Sequence, residues 1–186
     1  MSAALQFSDL LPKVPRLSLS EVPEVSAYFK NTLRAMFGED EDKVRSCVQE
    51  ITQMFWTPEK MRERLAGIED GEQLKSAMRR LRRDVMMSLV ARDISGLANL
   101  EEVVTVMSDL AEIAIDRTVS VYAKELAKRF GVPRSETGVP QDLIVIGMGK
   151  LGGRELNVSS DIDLIFFYDC DGECGPTAEY PNVRKI

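Results

Sequence analysis

The hydrophobic pattern of the chain changes abruptly near residue 131, and this change constrains the fold more than any other feature. Before it, apolar residues recur at spacings of three and four, the period of an α-helix that packs one face against a core. After it come two short runs of β-branched and aromatic residues, 142–146 and 161–168, which are typical of strands. The sequence therefore predicts an α+β chain, with a helical region over residues 1–133 and a second domain that begins at residue 134.

Five helices are predicted in the first region, at residues 20–37, 41–55, 57–67, 74–95 and 99–130. Residues that favour helix starts stand before three of them: Ser20, Thr57 and Asn99. Two long helices carry clear apolar stripes, formed by Leu74, Met78, Leu81, Val85 and Leu89 in the fourth and by Val103, Met107, Leu110, Ala114 and Val121 in the fifth. The arginine cluster at residues 79–83 is interpreted as a solvated helix face.

The second region is predicted to contain only two strands. Residues 142–146 are expected to form a buried strand, and Asp161 is expected to open a second strand that ends at Tyr168. The remaining residues, 169–186, are rich in Gly, Pro and Asp and are predicted to be a loop. Because two strands alone make a marginal sheet, the domain is expected to be incomplete and to continue after Ile186.

Composition limits the possible partners and the location of the chain. The formal net charge of −6 argues against a large non-specific contact with nucleic acid, which requires a basic surface. No apolar run approaches the roughly 18 to 20 residues that span a membrane, and the N-terminus lacks the pattern of a secretory signal. Three cysteines without any histidine are interpreted as reduced thiols, so a cytoplasmic location is predicted.

A glycine-rich turn, GMGKLGG at residues 147–153, follows the first predicted strand. It matches the G-x-G-x-x-G pattern of dinucleotide-binding folds. However, only seven residues, 154–160, separate it from Asp161, whereas a parallel βαβ crossover needs about a dozen or more. The acids also open the second strand instead of following it, and no G-K-[ST] triplet closes a Walker-type loop. The turn is therefore predicted to serve another kind of phosphate site.

Asp161 and Asp163 are the candidate metal ligands and catalytic residues. On a strand, residues two apart face the same way with a rise of about 6.6 Å, so both carboxylates could hold a hard cation such as Mg²⁺. Gly152 and Gly153 are expected to let the backbone approach a phosphate, with amide groups that form an anion nest. Ser160 is expected to contact phosphate or to cap the turn. Lys150 is either a further phosphate ligand or a lysine on the surface of the turn.

These motifs resemble the bifunctional glutamine synthetase adenylyltransferase/adenylyl-removing enzymes, large bacterial proteins with two nucleotidyltransferase domains of the DNA-polymerase-β type. The resemblance rests on GMGKLGGRELN followed by SSDIDLIF, and a weaker similarity covers the arginine-rich residues 78–93. The Glu-Leu-Asn triplet after the glycines and the isoleucine between the aspartates resemble the N-terminal, adenylyl-removing half. The fold implied for residues 134–186 is the start of a polymerase-β-type nucleotidyltransferase domain, truncated at its C-terminus.

The resemblance implies an activity and partners. The implied reaction is phosphorolysis of adenylyl-tyrosine on glutamine synthetase, which releases ADP, with Mg²⁺ held by Asp161 and Asp163. The implied partners are glutamine synthetase, the signal protein PII, adenine nucleotide and phosphate. Sites of this type use a third carboxylate on a later strand, and none is legible after Tyr168, so the chain is expected to be inactive alone. The alternative is a helical module that binds glutamine synthetase or PII without catalysis.

Overall fold

The computed structural model describes residues 17–18 and 20–185, so the prediction that the N-terminus carries no secretory signal falls on residues outside this range. The helices are α1 (Val22–Val25), α2 (Ala27–Phe37), α3 (Glu41–Gln53), α4 (Pro58–Arg64), α5 (Gly71–Ile94), α6 (Leu100–Phe130) and α7 (Gly149–Gly152). The strands are β1 (Arg134–Ser135), β2 (Ile144–Gly147), β3 (Leu164–Phe167), β4 (Gly172–Cys174) and β5 (Arg184–Lys185). The chain is mostly helical with short antiparallel strands, so the α+β prediction is confirmed, while the nucleotidyltransferase fold of the second region stays a prediction.

Side-chain caps fix where most of the helices begin. A polar residue before each of five helices accepts a hydrogen bond from the backbone N–H three residues later: Ser26, Asp40, Thr57, Asp70 and Asn99. The predicted caps Thr57 and Asn99 are confirmed. The predicted cap Ser20 is wrong, because the chain breaks at Ser26, which has an extended backbone and starts α2 after the single turn of α1.

The main hydrophobic core lies between α5 and α6, which run antiparallel. The N–H of Gly71 donates to the carboxylate of Glu125 at 2.8 Å at one end, and Arg92 pairs with Glu102 at the other. The apolar stripes predicted for the two helices, including Leu74, Leu81, Val103 and Met107, are buried between them together with residues of α4. A second core packs α1, α2 and α3 onto the opposite side of α5. Helix α5 is therefore packed against a hydrophobic core on two of its sides, which accounts for its length and its position between the two cores.

The arginines of α5 differ in their surroundings. Arg79, Arg80 and Arg82 are exposed and have no acidic partner within the part of the chain that the structure describes, so the interpretation as a solvated face is confirmed for these three. Arg83 of the same cluster is half-buried and donates to the carboxylate of Asp84. Arg92 is buried instead. It donates to both carboxylate oxygens of Glu102 at 2.7 and 3.0 Å and to the carbonyl of Thr52 at 2.8 Å. Arg92 therefore stabilises the packing of α5 against its neighbours.

The two predicted strands pair antiparallel as β2 and β3, with Ile144 opposite Phe167 and Gly147 opposite Leu164. This pairing excludes the parallel βαβ unit of a dinucleotide-binding fold, as predicted. The connection itself spans residues 148–163 and is longer than the seven residues expected from sequence, so its length does not account for the antiparallel pairing. The prediction of a buried strand is wrong, however. Ile144 and Ile146 are 48% and 43% exposed, because none of the described elements packs on that face of the hairpin. The apolar composition indicated burial, but the packing of the described residues does not provide it.

The prediction of a loop after Tyr168 is also wrong. The structure contains two further strands there, and the three-stranded sheet has the order β1-β4-β5 with antiparallel pairs. Gly172 approaches β1 so closely that a Cβ atom would lie 2.0 Å from the carbonyl oxygen of Arg134. These strands have two or three residues and little β-branched sequence, so tertiary contacts and not local preference define them.

Across the described residues, none of the helices combines the length and apolar character required to cross a membrane. The predicted domain boundary at residue 134 and the cytoplasmic location stay predictions.

Candidate functional site

The glycine turn and the two aspartates lie at the same end of the β2–β3 hairpin. Strand β2 ends at Gly147, α7 forms one helical turn, and the N–H of Met148 donates to the carbonyl of Asp163 at 2.9 Å. The strand β3 begins only at Leu164, so the prediction that Asp161 opens the strand is wrong. Both aspartates stand in the non-strand segment just before β3, and alternation along a strand does not set the direction of their side chains.

Lys150 and Ser160 are brought together at this end of the hairpin. The ammonium nitrogen Nζ of Lys150 lies 3.4 Å from Oγ of Ser160, although the two residues are ten apart in sequence. Both Oγ atoms of Ser159 and Ser160 donate to Oδ1 of Asn157, at 3.1 and 2.8 Å, and the N–H of Ser159 donates to the same oxygen. This is an Asx-type turn, which holds the serines next to the lysine.

Asn157 is a residue that the motif analysis did not assign to the site. The Asn-x-Ser-Ser sequence could have indicated the role of Asn157, because an asparagine two or three residues before serines favours such turns.

Gly152 is required for the close approach of the turn to β2. A Cβ atom at Gly152 would lie 2.6 Å from the carbonyl oxygen of Gly147, whereas the nearest atom to a Cβ at Gly153 is at 3.6 Å, an ordinary contact. The N–H of Gly152 donates to Met148 O at 3.2 Å and that of Gly153 to Gly149 O at 3.0 Å. Because both amide hydrogens are engaged inside the turn, the predicted anion nest is not formed in this conformation. The phosphate role of the two glycines stays a prediction.

The carboxylates of Asp161 and Asp163 are exposed. Carboxylate oxygens are the donors that Mg²⁺ prefers, and this ion commonly takes one or two protein carboxylates together with water and substrate phosphates. The donor set therefore fits the predicted cation in kind. In residues 17–18 and 20–185, no group of three or more His, Cys, Asp or Glu side chains could enclose a metal ion. Any bound Mg²⁺ would draw most of its ligands from water or from the substrate.

The motif is anchored on the helical region by two leucines. Leu151 and Leu156 are 4% and 3% exposed and belong to the main core between α5 and α6. The N–H of Leu156 lies 3.4 Å from Oγ of Ser108, a fully buried residue of α6. The turn that carries Lys150 is thus fixed to α6 on one side and to the hairpin on the other. Ser108 could not be found from sequence, since it is a lone serine within a helix.

Arg154 adds an ionic contact to this anchoring. Its guanidinium donates to the carboxylates of Asp109 and Glu112 on α6. The hydrogen bond to Asp109, followed by the one to Glu112, raises the pKa of Arg154 above its ordinary value. The two carboxylates therefore favour the charged form of the arginine.

A cleft of about 460 Å³ lies on the α6 side of the turn. It is lined by Glu112, Asp116, Leu143, Val145, Gly152 and Arg154, among others. Neither Asp161 nor Asp163 lines it, whereas Gly152, a candidate phosphate-binding residue, does. The cleft lies between residues of α6 and of the hairpin, and the two candidate metal ligands are not part of its lining.

The fold and these residues together define the kind of protein. It is a mostly helical α+β chain in which the glycine turn, the lysine, the serines and the two acids lie at one end of an antiparallel hairpin. The model of one protein family, glutamate-ammonia ligase adenylyltransferase, matches residues 18–183 of the chain. The chain belongs to this family, and the resemblance found in its motifs is confirmed.

Individual relatives agree with the family match. The chain is 51% identical over 106 residues to a protein of Aromatoleum aromaticum and 52% identical over 103 residues to one of Bordetella pertussis. It is 54% identical over 103 residues to a protein of Chromobacterium violaceum. All three relatives are named bifunctional glutamine synthetase adenylyltransferase/adenylyl-removing enzyme. The matches cover 55 to 57% of this chain but only 11% of each relative, so the chain spans a small part of their length.

Proposed function

We propose that the chain carries the phosphate- and metal-binding motif of a nucleotidyl-transfer site that removes AMP from adenylyl-tyrosine of glutamine synthetase. One observation carries the proposal: Nζ of Lys150 lies 3.4 Å from Oγ of Ser160, close in sequence to the two exposed acids. This contact is at the end of the hairpin where the N–H of Met148 donates to the carbonyl of Asp163. This end combines cationic and hydroxyl groups for phosphate with carboxylates for a cation. The family match and the names of the relatives support a nucleotidyl-transfer site that acts on glutamine synthetase, whereas the direction of the reaction rests on the motif residues.

Each residue has a distinct task in this proposal. Lys150 offsets the negative charge of a phosphate, and the hydroxyl of Ser160 donates a hydrogen bond to a phosphate oxygen. Asp161 and Asp163 would hold Mg²⁺, whose chemistry when bound is to neutralise charge on the phosphates. Gly152 keeps the turn close to β2, so that Lys150 stays beside Ser160. Positioning and charge stabilisation make up most of the catalytic task in phosphoryl and nucleotidyl transfer.

The proposed reaction is a displacement at the phosphorus of the adenylyl group. An oxygen of inorganic phosphate forms a bond to this phosphorus, and the bond from the phosphorus to the tyrosine oxygen breaks. The tyrosine oxygen leaves with the electron pair of that bond and takes up a proton, so that the products are ADP and unmodified glutamine synthetase. The direction, removal and not transfer, rests on Glu155, Leu156 and Asn157 after the glycines and on Ile162 between the acids.

We further propose that this chain is inactive by itself and acts within a longer protein that responds to PII. The supporting observation is that Asp161 and Asp163 have no third carboxylate beside them: the described residues hold no group of three candidate metal ligands. Sites of the polymerase-β type use three carboxylates. The rival function is a helical module that binds glutamine synthetase without catalysis. The α5–α6 core forms without any contribution from Asp161 or Asp163, which is what such a module requires.

Metal binding by the chain tests the proposed site directly. Mn²⁺ added as a substitute for Mg²⁺ is expected to broaden the amide NMR signals of residues 160–164 selectively, because a paramagnetic ion relaxes nearby nuclei. The broadening should be lost in Asp161→Asn and retained in the control Asp169→Asn, an exposed acid beyond the other end of β3. Equal broadening in both variants would sink the assignment of the metal ligands.

Activity separates the two functions. In a full-length family member that carries this segment, Asp161→Asn should abolish ADP release from adenylylated glutamine synthetase and Mg²⁺-phosphate, while leaving adenylyl transfer largely intact. Loss of transfer alone would show that the direction is assigned wrongly. For the isolated chain, no ADP release is expected, and ADP release that disappears in Asp161→Asn would overturn its proposed inactivity. A chain that binds no metal, and whose binding of glutamine synthetase is unchanged in Asp161→Asn, would favour the helical module.

A further inference from the structure

Arg154 has an unusual backbone conformation directly after the glycine turn. Its φ angle is +56°, and it is the one non-glycine residue with a positive φ among residues 17–18 and 20–185. Residues with a Cβ atom rarely adopt this left-handed conformation, and arginine lacks the short polar side chain with which Asn and Asp stabilise it by a local hydrogen bond. A conformation of this kind persists only where surrounding contacts hold it, and such positions occur often at functional sites.

The contacts that hold Arg154 come from α6. The guanidinium bridges Asp109 and Glu112, which stand three residues apart on one face of the helix. Asp109 is buried, with 9% of the residue exposed, and Arg154 is the only cation paired with it in the described structure. A nearly buried carboxylate needs a paired charge, so this ion pair is more demanding than an exposed one.

The backbone of Arg154 belongs to the turn that carries Lys150. The N–H of Arg154 donates to Leu151 O at 3.0 Å, and the next N–H, of Glu155, donates to Lys150 O at 2.7 Å. Lys150 in turn reaches Ser160 with its side chain. A contiguous chain of contacts therefore leads from Asp109 and Glu112 through Arg154 to the lysine that faces the serines.

We propose that Arg154 is a positioning residue, which locks the glycine turn to α6 through Asp109 and Glu112 and thereby sets the place of Lys150 beside Ser160. The inference rests on the proposed phosphate role of this turn. In this proposal, α6 contributes no phosphate or metal ligand of its own but helps to position the residues that do. Through this link, a shift of α6 changes the geometry of the turn.

Three substitutions at Arg154 separate positioning from plain stability. Arg154→Ala removes the ionic link and keeps the left-handed strain, whereas Arg154→Gly removes the link and relieves the strain. Arg154→Lys retains one charge without the fork that contacts two carboxylates. The Gly variant should therefore melt at a higher temperature than the Ala variant, although both lack the link equally.

The readout is the set of glycine amide signals of the turn in ¹⁵N NMR spectra. Arg154→Ala and Arg154→Gly should both shift the signals of Gly149, Gly152 and Gly153 and lower their heteronuclear NOE values, whatever their melting temperatures. Asp109→Asn should reproduce the change, and Arg154→Lys should show about half of it. The matched control is Arg82→Ala, at an exposed arginine that has no acidic partner among the described residues, and it should leave these signals in place. Unchanged glycine signals in both variants, or changes that follow melting temperature across the series, would overturn the proposal.

A titration with inorganic phosphate and Mg²⁺ distinguishes this proposal from the proposed function. We expect both variants to weaken phosphate affinity by about tenfold, equally for Ala and Gly, relative to the unmodified chain. If the unmodified chain shows no response to phosphate, the proposed phosphate role fails, whereas perturbed glycine signals in the variants would still support the link to α6. If the variants bind phosphate as tightly as the unmodified chain, the positioning role is refuted.

Discussion

Replacement of Arg92 by alanine tests how strongly one buried ion pair holds the helical region together. The residue is only 4% exposed and lies where the end of α3, the end of α5 and the start of α6 meet. Its guanidinium donates to Glu102 and to the carbonyl oxygens of Thr52 and Leu97, and it lies 4.0 Å from the ring centroid of Phe55. Arg92→Ala removes all of these contacts and leaves the acceptors without their donor.

The expected loss can be estimated from the burial of the two partners. Removing one member of a buried, hydrogen-bonded ion pair destabilises a protein by about 3–5 kcal/mol, because the other charge is left unpaired. The side chain of Glu102 keeps 25% of its exposure and can regain some hydration, so the lower end of that range applies, about 3 kcal/mol. For a chain of this size, each kcal/mol shifts the melting temperature by roughly 2–4 °C, which gives a decrease of roughly 6–12 °C.

Urea unfolding followed by tryptophan fluorescence is a suitable assay. Trp56 is the single tryptophan of the sequence and belongs to the main core, so its emission reports loss of that core. Arg82→Ala, on the exposed face of the same helix, serves as the control and should change the free energy of unfolding by no more than about 0.5 kcal/mol. A loss below about 1 kcal/mol for Arg92→Ala, similar to the control, would refute the reasoning from burial.

Two further predictions concern the glycine turn and the cysteines. Gly152→Ala should destabilise the chain by about 1–3 kcal/mol in thermal unfolding, because the added Cβ atom would overlap the end of the preceding strand. The control Gly153→Ala makes only ordinary contacts and should be neutral. Equal effects of the two substitutions would contradict the packing argument. In alkylation near pH 8 followed by mass spectrometry, exposed Cys170 should react before half-buried Cys47. Burial, and then nearby acids, raise the pKa of the Cys47 thiol and so reduce its thiolate fraction. Faster modification of Cys47 would contradict this expectation.

The helical half shows how much local sequence can predict. The caps Thr57 and Asn99 and the stripe from Leu74 to Leu89 identified α4, α5 and α6 correctly, because capping and a 3.6-residue period act within one or two turns of chain. The break at Ser26 was missed, since a serine one turn into an apolar helix is compatible with either continuation or a new start. The burial of Arg92 was missed as well, because its partner Glu102 stands on another helix.

The candidate site divides in the same way. The sequence by itself determined the motif and the family, and the place of the two acids ahead of the apolar run already argued against a parallel dinucleotide-binding unit. Only the tertiary structure decided that Asp161 precedes its strand, that Lys150 meets Ser160, and that Arg154 is tied to α6. These features depend on contacts between residues 10 to 45 positions apart, and no local preference of the chain encodes such distances.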